Sequence, residues 1–476
     1  MDLKSIPLAV DLDETLLLVD TSVEAIVDAA LHRPLDFLLA LPTLAKGRPA
    51  FKQAMFDIAE LDVEALPERA DLVEYLWQQH SAGRVIILVT ATTQPVAEAV
   101  AARFGNLFSA VYGTRDGVNL KGENKAAFLT RTCPGGFVYV GDSRADLKVW
   151  ARASGMAFAG ASNDVVRAAQ RNGQPVEAVF ANKPRGIGAW IEALRIGQWV
   201  KNVLIFVPVL LSGLYLVPEA WVQSVLGFLL LGIAASGTYL INDLVDLPAD
   251  RRHRTKRARP FAAGRLNPAL GLVVAPALIL TALLCSFLLA PLFSIALLVY
   301  LTGSLVYSFG LKRVVMLDTV TIASLFTLRI ALGAFAVGAA LSEWLMVFSV
   351  FFFLSLALAK RHAEILHARP GERVRGRGYR AEDAPLTLAF GVASGTAAIV
   401  ILFLYLIEDA FPSGFYSQPG LLWLAPVLMA LWIMRIWTLA HRAELEDDPV
   451  SFSVRDRTSL LLAGALAASF ALAVLG

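Results

Sequence analysis

The chain has 476 residues, 57% apolar and only 17% charged, with a net charge of +2. Soluble domains sit nearer to about half apolar and about a quarter charged, so this composition excludes a single soluble globular protein. The small net charge, with no basic tail or basic–aromatic stripe, calls for no nucleic-acid partner. The two cysteines, Cys133 and Cys285, lie far apart and suggest neither a disulfide framework nor a zinc site.

Residues 1–195 carry charges at ordinary spacing, whereas beyond residue 203 apolar stretches alternate with short polar loops. Those stretches have the length of membrane-spanning helices, about 20 residues. The N-terminus, Met-Asp-Leu-Lys-Ser-Ile-Pro, lacks the apolar core of a signal peptide, so the first domain is expected in the cytoplasm. The expected fold is an N-terminal α/β domain, a parallel sheet with a small helical cap. A C-terminal all-α polytopic bundle of about nine helices follows it.

In chain order, residues 6–12 read as a buried strand, and residues 20–80 as an Ala- and Leu-rich helical insertion with a break near Pro42. A second strand, Val85–Val89, precedes a helix over Pro95–Phe104, and short strands recur at Phe108–Tyr112 and Gly136–Val140. Strands alternating with helices indicate a parallel sheet, and the insertion after the first strand is expected to form the cap. The expected domains are 1–180, a connector at 181–202 with Trp190 and Trp199 as interface anchors, and 203–476. Expected spans cover 203–219, 221–242, 269–289, 291–308, 315–338, 342–359, 385–407, 420–439 and 459–475. The loops Arg251–Arg265, Lys312-Arg313, Lys360–Arg380 and His441–Arg457 are basic and fall on one side. The opposite loop, Glu408–Gly420, has no Lys or Arg. The positive-inside rule places the basic loops in the cytoplasm with the first domain, as in a multi-pass inner-membrane protein.

Asp11 and Asp13 follow the first strand in Asp-Leu-Asp-Glu-Thr. Carboxylates at the end of a parallel strand project into the crevice where such sheets bind ligands. Asp11 can attack phosphorus, and Asp13 can protonate the leaving oxygen; alone, the pair reads equally well as a turn. Thr90 closes the second strand and can donate to phosphate, while Lys121 or Lys125 can neutralise its charge. Asp142 and Asp146, in Gly-Asp-Ser-Arg-Ala-Asp, suit oxygen-ligated Mg²⁺. With these residues in this order, residues 5–180 resemble the haloacid-dehalogenase (HAD) superfamily. The resemblance implies Asp11 as nucleophile, Asp13 as general acid, Thr90 as phosphate binder and Lys125 as the family lysine. It further implies Mg²⁺ on Asp11, Asp142 and the Asp13 carbonyl, supported by Asp146, and hydrolysis of a phosphate monoester.

After the second expected span come Asn242, Asp243, Asp246 and Asp250, at spacings that place the acids on one helix face if the helix continues. Carboxylates at a membrane border need pairing or a metal, and Mg²⁺ carrying a diphosphate satisfies them. The basic run Arg251–Arg259, including Arg257 and Arg259, reads by itself as topology or headgroup contact. Joined to the acids it reads as a metal–polyphosphate site. The stretch Asn242–Gly264 resembles the first aspartate-rich motif of the UbiA superfamily of intramembrane transferases, and the resemblance covers residues 195–476.

Typical members carry a second acidic motif, where this chain has Ala359-Lys360-Arg361-His362-Ala363-Glu364. That departure resembles the polyprenyl-phosphate phosphoribosyltransferase branch, as do Gln198-Trp199-Val200-Lys201-Asn202, Tyr307–Lys312 and Gly376–Arg380. The resemblance implies a soluble diphosphate donor, phosphoribosyl diphosphate, held by Mg²⁺ on Asp243, Asp246 and Asp250 beside Asn242. A polyprenyl phosphate would accept the sugar. Lys201, Lys312, Lys360 and Arg361 are candidate phosphate partners, with Arg329 inside the fifth span. Glu364 is a candidate for a ribose hydroxyl or metal. The competing readings are prenyl transfer from a prenyl diphosphate to an aromatic or other acceptor, and a transporter or scaffold with a regulatory soluble domain. Oligomeric state is not legible in the sequence.

Overall fold

The computed structural model describes residues 3–115, 119–181, 186–368, 371, 374, 377–412, 416–445 and 448–475. Gly376 of the Gly-Arg-Gly-Tyr-Arg motif and connector residues 182–185 lie outside them. The chain forms two compact units. One joins Met1–Leu194 to Tyr239–Pro276; the other joins Arg195–Thr238 to Ala277–Gly476.

In the first unit, six parallel strands form one sheet: β1 (Leu8–Val10), β2 (Ile86–Thr93), β3 (Ala110–Thr114), β4 (Val138–Gly141), β5 (Gly155–Ala159) and β6 (Val176–Phe180), ordered β3-β2-β1-β4-β5-β6. The central strands β1, β4 and β5 are buried along their whole length, as parallel strands covered on both faces must be. The order reverses between β1 and β4, and open α/β sheets bind ligands in the crevice at such a switch point. Sequence reading found the first four strands but did not single out β5 and β6. Gly155-Met-Ala-Phe-Ala mixes small residues with large ones, and Val176-Glu-Ala-Val-Phe carries a charge in mid-strand. β2 runs on to Thr93, so Thr90 lies inside the strand, beside a register irregularity against β3.

The helical insertion forms α1 (Thr21–His32), α2 (Pro34–Ala40) and α3 (Arg48–Ile58) around a small core of Ala25, Ala29, Ala40 and Met55. The expected break is a 3₁₀ turn over Leu41–Lys46. α4 (Ala70–Ser81) returns to the sheet, burying Leu72 and Leu76 in its core.

Among the described residues, eight helices are long and apolar enough to cross a membrane: Pro218–Val245, Pro268–Leu289, Pro291–Phe309, Leu317–Val337, Glu343–Leu366, Ala381–Ala410, Pro419–His441 and Arg457–Val474. Each overlies an expected span. The remaining one, expected at 203–219, is instead a pair of segments, Ile187–Ala193 and Ile196–Leu211, bent by 51°. Arg195 between them takes a left-handed conformation (φ 51°), and Ile196–Phe206 is 3₁₀ rather than α-helical. Counting the bent pair as one span gives nine. Trp199 packs inside the bundle, donating to Ser236 Oγ (3.1 Å), and Trp190 meets Phe261 edge-on.

Candidate active sites

The loop after β1 carries Asp11 and Asp13 in a tight turn: Leu17 N–H donates to the Leu12 carbonyl (3.0 Å) and Glu14 takes a positive φ of 57°. Few non-glycine residues tolerate that backbone region, and buried Arg69 fastens the turn by donating to the carbonyls of Thr15 and Glu14 (both 3.0 Å). Asp11 Oδ1 accepts from Leu12 N–H (2.8 Å), and its Oδ2 lies 2.7 Å from Lys125 Nζ, a side chain only 2% exposed. Lys125 belongs to α6 (Glu123–Thr132), counting Gln94–Ala102 as α5. The Tyr139 hydroxyl accepts from Lys125 (2.9 Å) and lies 2.8 Å from Asp146 Oδ1 and 3.1 Å from Asp11 Oδ2. Asp13 Oδ1 is held by Thr21, through its N–H (2.8 Å) and hydroxyl (2.7 Å). Asp142 accepts from Thr15 (3.2 Å), and Asp146 gathers the Asp142 and Ser143 backbone donors and the Ser143 hydroxyl.

Carboxylate oxygens of Asp11, Asp142 and Asp146 lie within 4.8 Å of one another. Burial, reinforced by Asp146, Asp11 and Glu14, pushes the Asp142 carboxyl up to about 8. Crowded acids of this kind fit a hard divalent cation. Burial and then the charge of Asp20 push Asp13 up to about 7, which suits a general acid near neutral pH. Burial also raises Asp11, against the opposing pull of Lys125. Lys52 of the cap helix α3 donates to the Ala91 carbonyl (2.9 Å), and burial lowers its pKa while the charges of Asp13 and Asp20 raise it. Sequence reasoning missed Tyr139, Lys52, Arg69 and Thr21. A tyrosine two residues before Gly141-Asp142, facing the sheet centre, was the one local signal.

The aspartate-rich stretch folds as a helix end. Pro218–Val245 stops, Asp246 bends the chain, and Leu247–Arg252 resumes; Asp250 N–H still donates to the Asp246 carbonyl (2.8 Å). Asp243 and Asp250 are buried and share Arg259 Nη1, at 3.2 and 2.5 Å. Asp250 Oδ1 is buried with no hydrogen-bond partner among the described residues, and Lys256 Nζ is 3.8 Å away. An orphaned carboxylate oxygen can take a cation, whereas among the described residues the acids close enough to share one ion are Asp11, Asp142 and Asp146, and Asp243, Asp246 and Asp250 are not brought together in that way. Asn242 and Asp246 are half-buried, and Arg257 is exposed.

In the second unit, Lys201 and Lys360 line a polar cavity of about 390 Å³ with Gln198, Asp448, Ser451 and Arg455. Lys201 Nζ lies 3.5 Å from Asp448 Oδ2. Arg361 does not face this cavity: it is buried against Asp318 (Nε–Oδ2 2.9 Å) and also pairs with Glu364. The Tyr379 hydroxyl donates to the other Asp318 oxygen (2.6 Å), and Arg377 donates to the Tyr307 hydroxyl (2.5 Å). The Tyr307 and Tyr379 motifs, distant in sequence, therefore converge. Lys312 is half-buried in a 3₁₀ turn. Arg329 donates to Asn202 Oδ1 (3.2 Å), the Leu325 carbonyl (3.0 Å) and the Tyr300 hydroxyl (2.8 Å), a hydrogen-bonded node with no carboxylate partner among the described residues.

Comparison with known proteins agrees with this division. A protein called y4nM from Sinorhizobium fredii is 40% identical over 99% of this chain and 92% of its own length. Nodulation protein NoeC of Azorhizobium caulinodans is 33% identical over 57% of this chain and 89% of its own. Decaprenyl-phosphate phosphoribosyltransferase of Mycobacterium tuberculosis is 32% identical over 63% of this chain and 98% of its own. Residues 8–150 match the haloacid dehalogenase-like hydrolases, and residues 205–473, more than half the chain, match the UbiA prenyltransferase family. The chain belongs to the UbiA prenyltransferase family and carries a haloacid dehalogenase-like hydrolase domain ahead of its membrane helices.

Proposed function

We propose that the membrane domain, residues 203–476, transfers a phosphoribosyl group from soluble phosphoribosyl diphosphate to a polyprenyl phosphate. The hydrolase domain, residues 1–180 ahead of a connector at 181–202, removes a phosphate monoester. The 5-phosphate on the transferred ribose is the monoester that the fusion favours. One observation carries this reading: where a second acidic cluster would sit, Lys360 instead lines a cavity with Lys201 and Arg455. Cations bind phosphate oxygens directly through charge-assisted hydrogen bonds, whereas a second metal-bound diphosphate needs carboxylates. The similarity to a decaprenyl-phosphate phosphoribosyltransferase supports the same substrates.

Asp243, Asp246 and Asp250 would hold Mg²⁺ on the donor diphosphate, and Asp11, Asp142 and the Asp13 carbonyl would hold it in the hydrolase, with Asp146 behind. When bound, the metal neutralises charge on phosphate oxygens and on the departing group. In the membrane domain, Lys201, Lys312 and Lys360 bind phosphate. Arg259 orients Asp243 and Asp250, Arg257 attracts the donor, and Arg361 fixes Glu364 for a ribose hydroxyl. In the hydrolase, the Asp11 carboxylate attacks phosphorus while Asp13 gives its proton to the leaving oxygen. Water then attacks the aspartyl phosphate as Asp13 takes a proton back. Thr90 and Lys125 hold the phosphoryl oxygens.

The test is substrate choice by the purified protein in detergent. Phosphoribosyl diphosphate with a polyprenyl phosphate should release diphosphate and form a lipid-linked sugar phosphate. Release only from prenyl diphosphate with an aromatic acid would overturn the reading in favour of prenyl transfer. Asp246→Ala should stop turnover, and Lys360→Ala should chiefly raise KM for a phosphate substrate.

A further inference from the structure

The aspartate-rich stretch lies in the same compact unit as the hydrolase domain, and that unit pairs it with named hydrolase residues. Arg251, next in the chain after Asp250, makes a two-pronged ion pair with Glu24 of α1: Nη1–Oε2 3.0 Å and Nη2–Oε1 2.8 Å. The two side chains are 6% and 3% exposed. Arg252 pairs with Asp62 (2.5 Å), and His32 Nε2 lies 3.3 Å from the Val245 carbonyl. At Gly264, with φ of 66°, an added Cβ would lie 2.9 Å from Leu18 Cβ, on the loop that carries Asp11 and Asp13.

These contacts differ in weight. Arg252 is largely exposed, and an exposed pair constrains little. Glu24–Arg251 is buried, and removing one partner strands the other's charge. Its position also matters chemically. A guanidinium adjacent to Asp250 would compete for the carboxylates that are to hold a cation. Arg259 already sits on Asp243 and Asp250 Oδ2; Glu24 occupies both prongs of Arg251 and so keeps a second guanidinium from joining it, while Asp250 Oδ1 has no hydrogen-bond partner among the described residues.

We propose that Glu24, a residue of the hydrolase domain, is a positioning residue for the transferase, fixing Arg251 so that the Asp243–Asp250 stretch keeps the shape in which it takes its metal and diphosphate. This rests on the metal–diphosphate reading of that stretch but not on which sugar or lipid is transferred. The hydrolase domain then serves the transferase structurally, whatever monoester it hydrolyses.

The test measures Mn²⁺ affinity by electron paramagnetic resonance on the full chain, in an Asp11→Asn, Asp142→Asn background that removes both carboxylate ligands assigned on the hydrolase side. Outer-shell partners of metal ligands typically contribute about 10–100-fold in metal affinity; Glu24 acts one residue further out, through Arg251, so Glu24→Gln should weaken Mn²⁺ binding by the lower of those factors, about tenfold. Transfer should fall in parallel when the substitution is made in the otherwise unchanged chain. The same Glu24→Gln protein should still hydrolyse p-nitrophenyl phosphate, which shows that its hydrolase domain is folded. Glu24→Arg combined with Arg251→Glu should restore Mn²⁺ affinity lost in either single variant. Wild-type Mn²⁺ affinity in Glu24→Gln, or failure of the swapped pair to recover it, would overturn the proposal. Absence of phosphoribosyl transfer by the wild-type protein, with the Mn²⁺ effect intact, would overturn only the substrate assignment.

Discussion

Asp11 is held by a lysine, a backbone amide and a tyrosine hydroxyl, so its carboxylate is fixed in place. Asp11→Asn should abolish Mg²⁺-dependent hydrolysis of p-nitrophenyl phosphate, and unchanged hydrolysis would remove it as nucleophile. Tyr139→Phe deletes one hydroxyl that bridges Lys125, Asp146 and Asp11. Hydrogen bonds to charged groups contribute about 1.5–3 kcal/mol, so kcat should fall by about tenfold or more. An unaltered kcat in steady-state kinetics would leave the ring a packing role alone. Asp11, Asp13, Lys125, Asp142 and Asp146 were legible because each sits in a short run at a strand end or helix start. Arg69 and Lys52 were not, because they come from far along the chain: Arg69 reaches the turn from the residue before α4, and Lys52 of α3 donates to the Ala91 carbonyl. Arg361 was legible as a cation and as a candidate phosphate partner. Nothing near it in sequence pointed to Asp318, which takes up its charge.

At the scale of elements, eight spans could be read directly, because an uninterrupted apolar run of bilayer length has few other uses. The first was read at 203–219, but the structure starts it earlier, as the bent pair Ile187–Ala193 and Ile196–Leu211, because Arg195 turns the backbone and Ile196–Phe206 is 3₁₀. That irregular segment packs closely on a neighbour. A Cβ added at Gly333, in the helix Leu317–Val337, would lie 2.1 Å from the Ile205 carbonyl oxygen. Two backbones meet there with no room for a methyl group. Gly333→Ala should destabilise the membrane domain by about 1–3 kcal/mol, the usual cost of overpacking. Unfolding in detergent reads the effect, and an unshifted midpoint would count against the close approach.

At the scale of the molecule, the first unit joins residues 1–194 to 239–276. The soluble domain and the loop after Val245 must therefore face the same compartment, and the chain between them must cross the membrane twice. Pro218–Val245 supplies one crossing, and the bent pair Ile187–Ala193 and Ile196–Leu211, counted as one span, supplies the other and brings the candidates among the described residues to nine. With Cys133 and Cys285 replaced, a single cysteine at Ser417 should react with an impermeant maleimide on intact cells. One at Arg442 should react only after permeabilisation. The reverse pattern would invert the proposed cytoplasmic placement of the hydrolase domain. The discontinuity of this unit also dictates an order of events during synthesis. A ribosome releases Glu24, Asp62 and Glu192 long before Arg251, Arg252 and Arg265, their partners in three ion pairs. Those pairs close only after the first two crossings have been threaded. A chain whose first hairpin fails to insert keeps an unpaired Glu24 on its leading domain, so the soluble part carries a mark of whether the membrane part has begun to assemble.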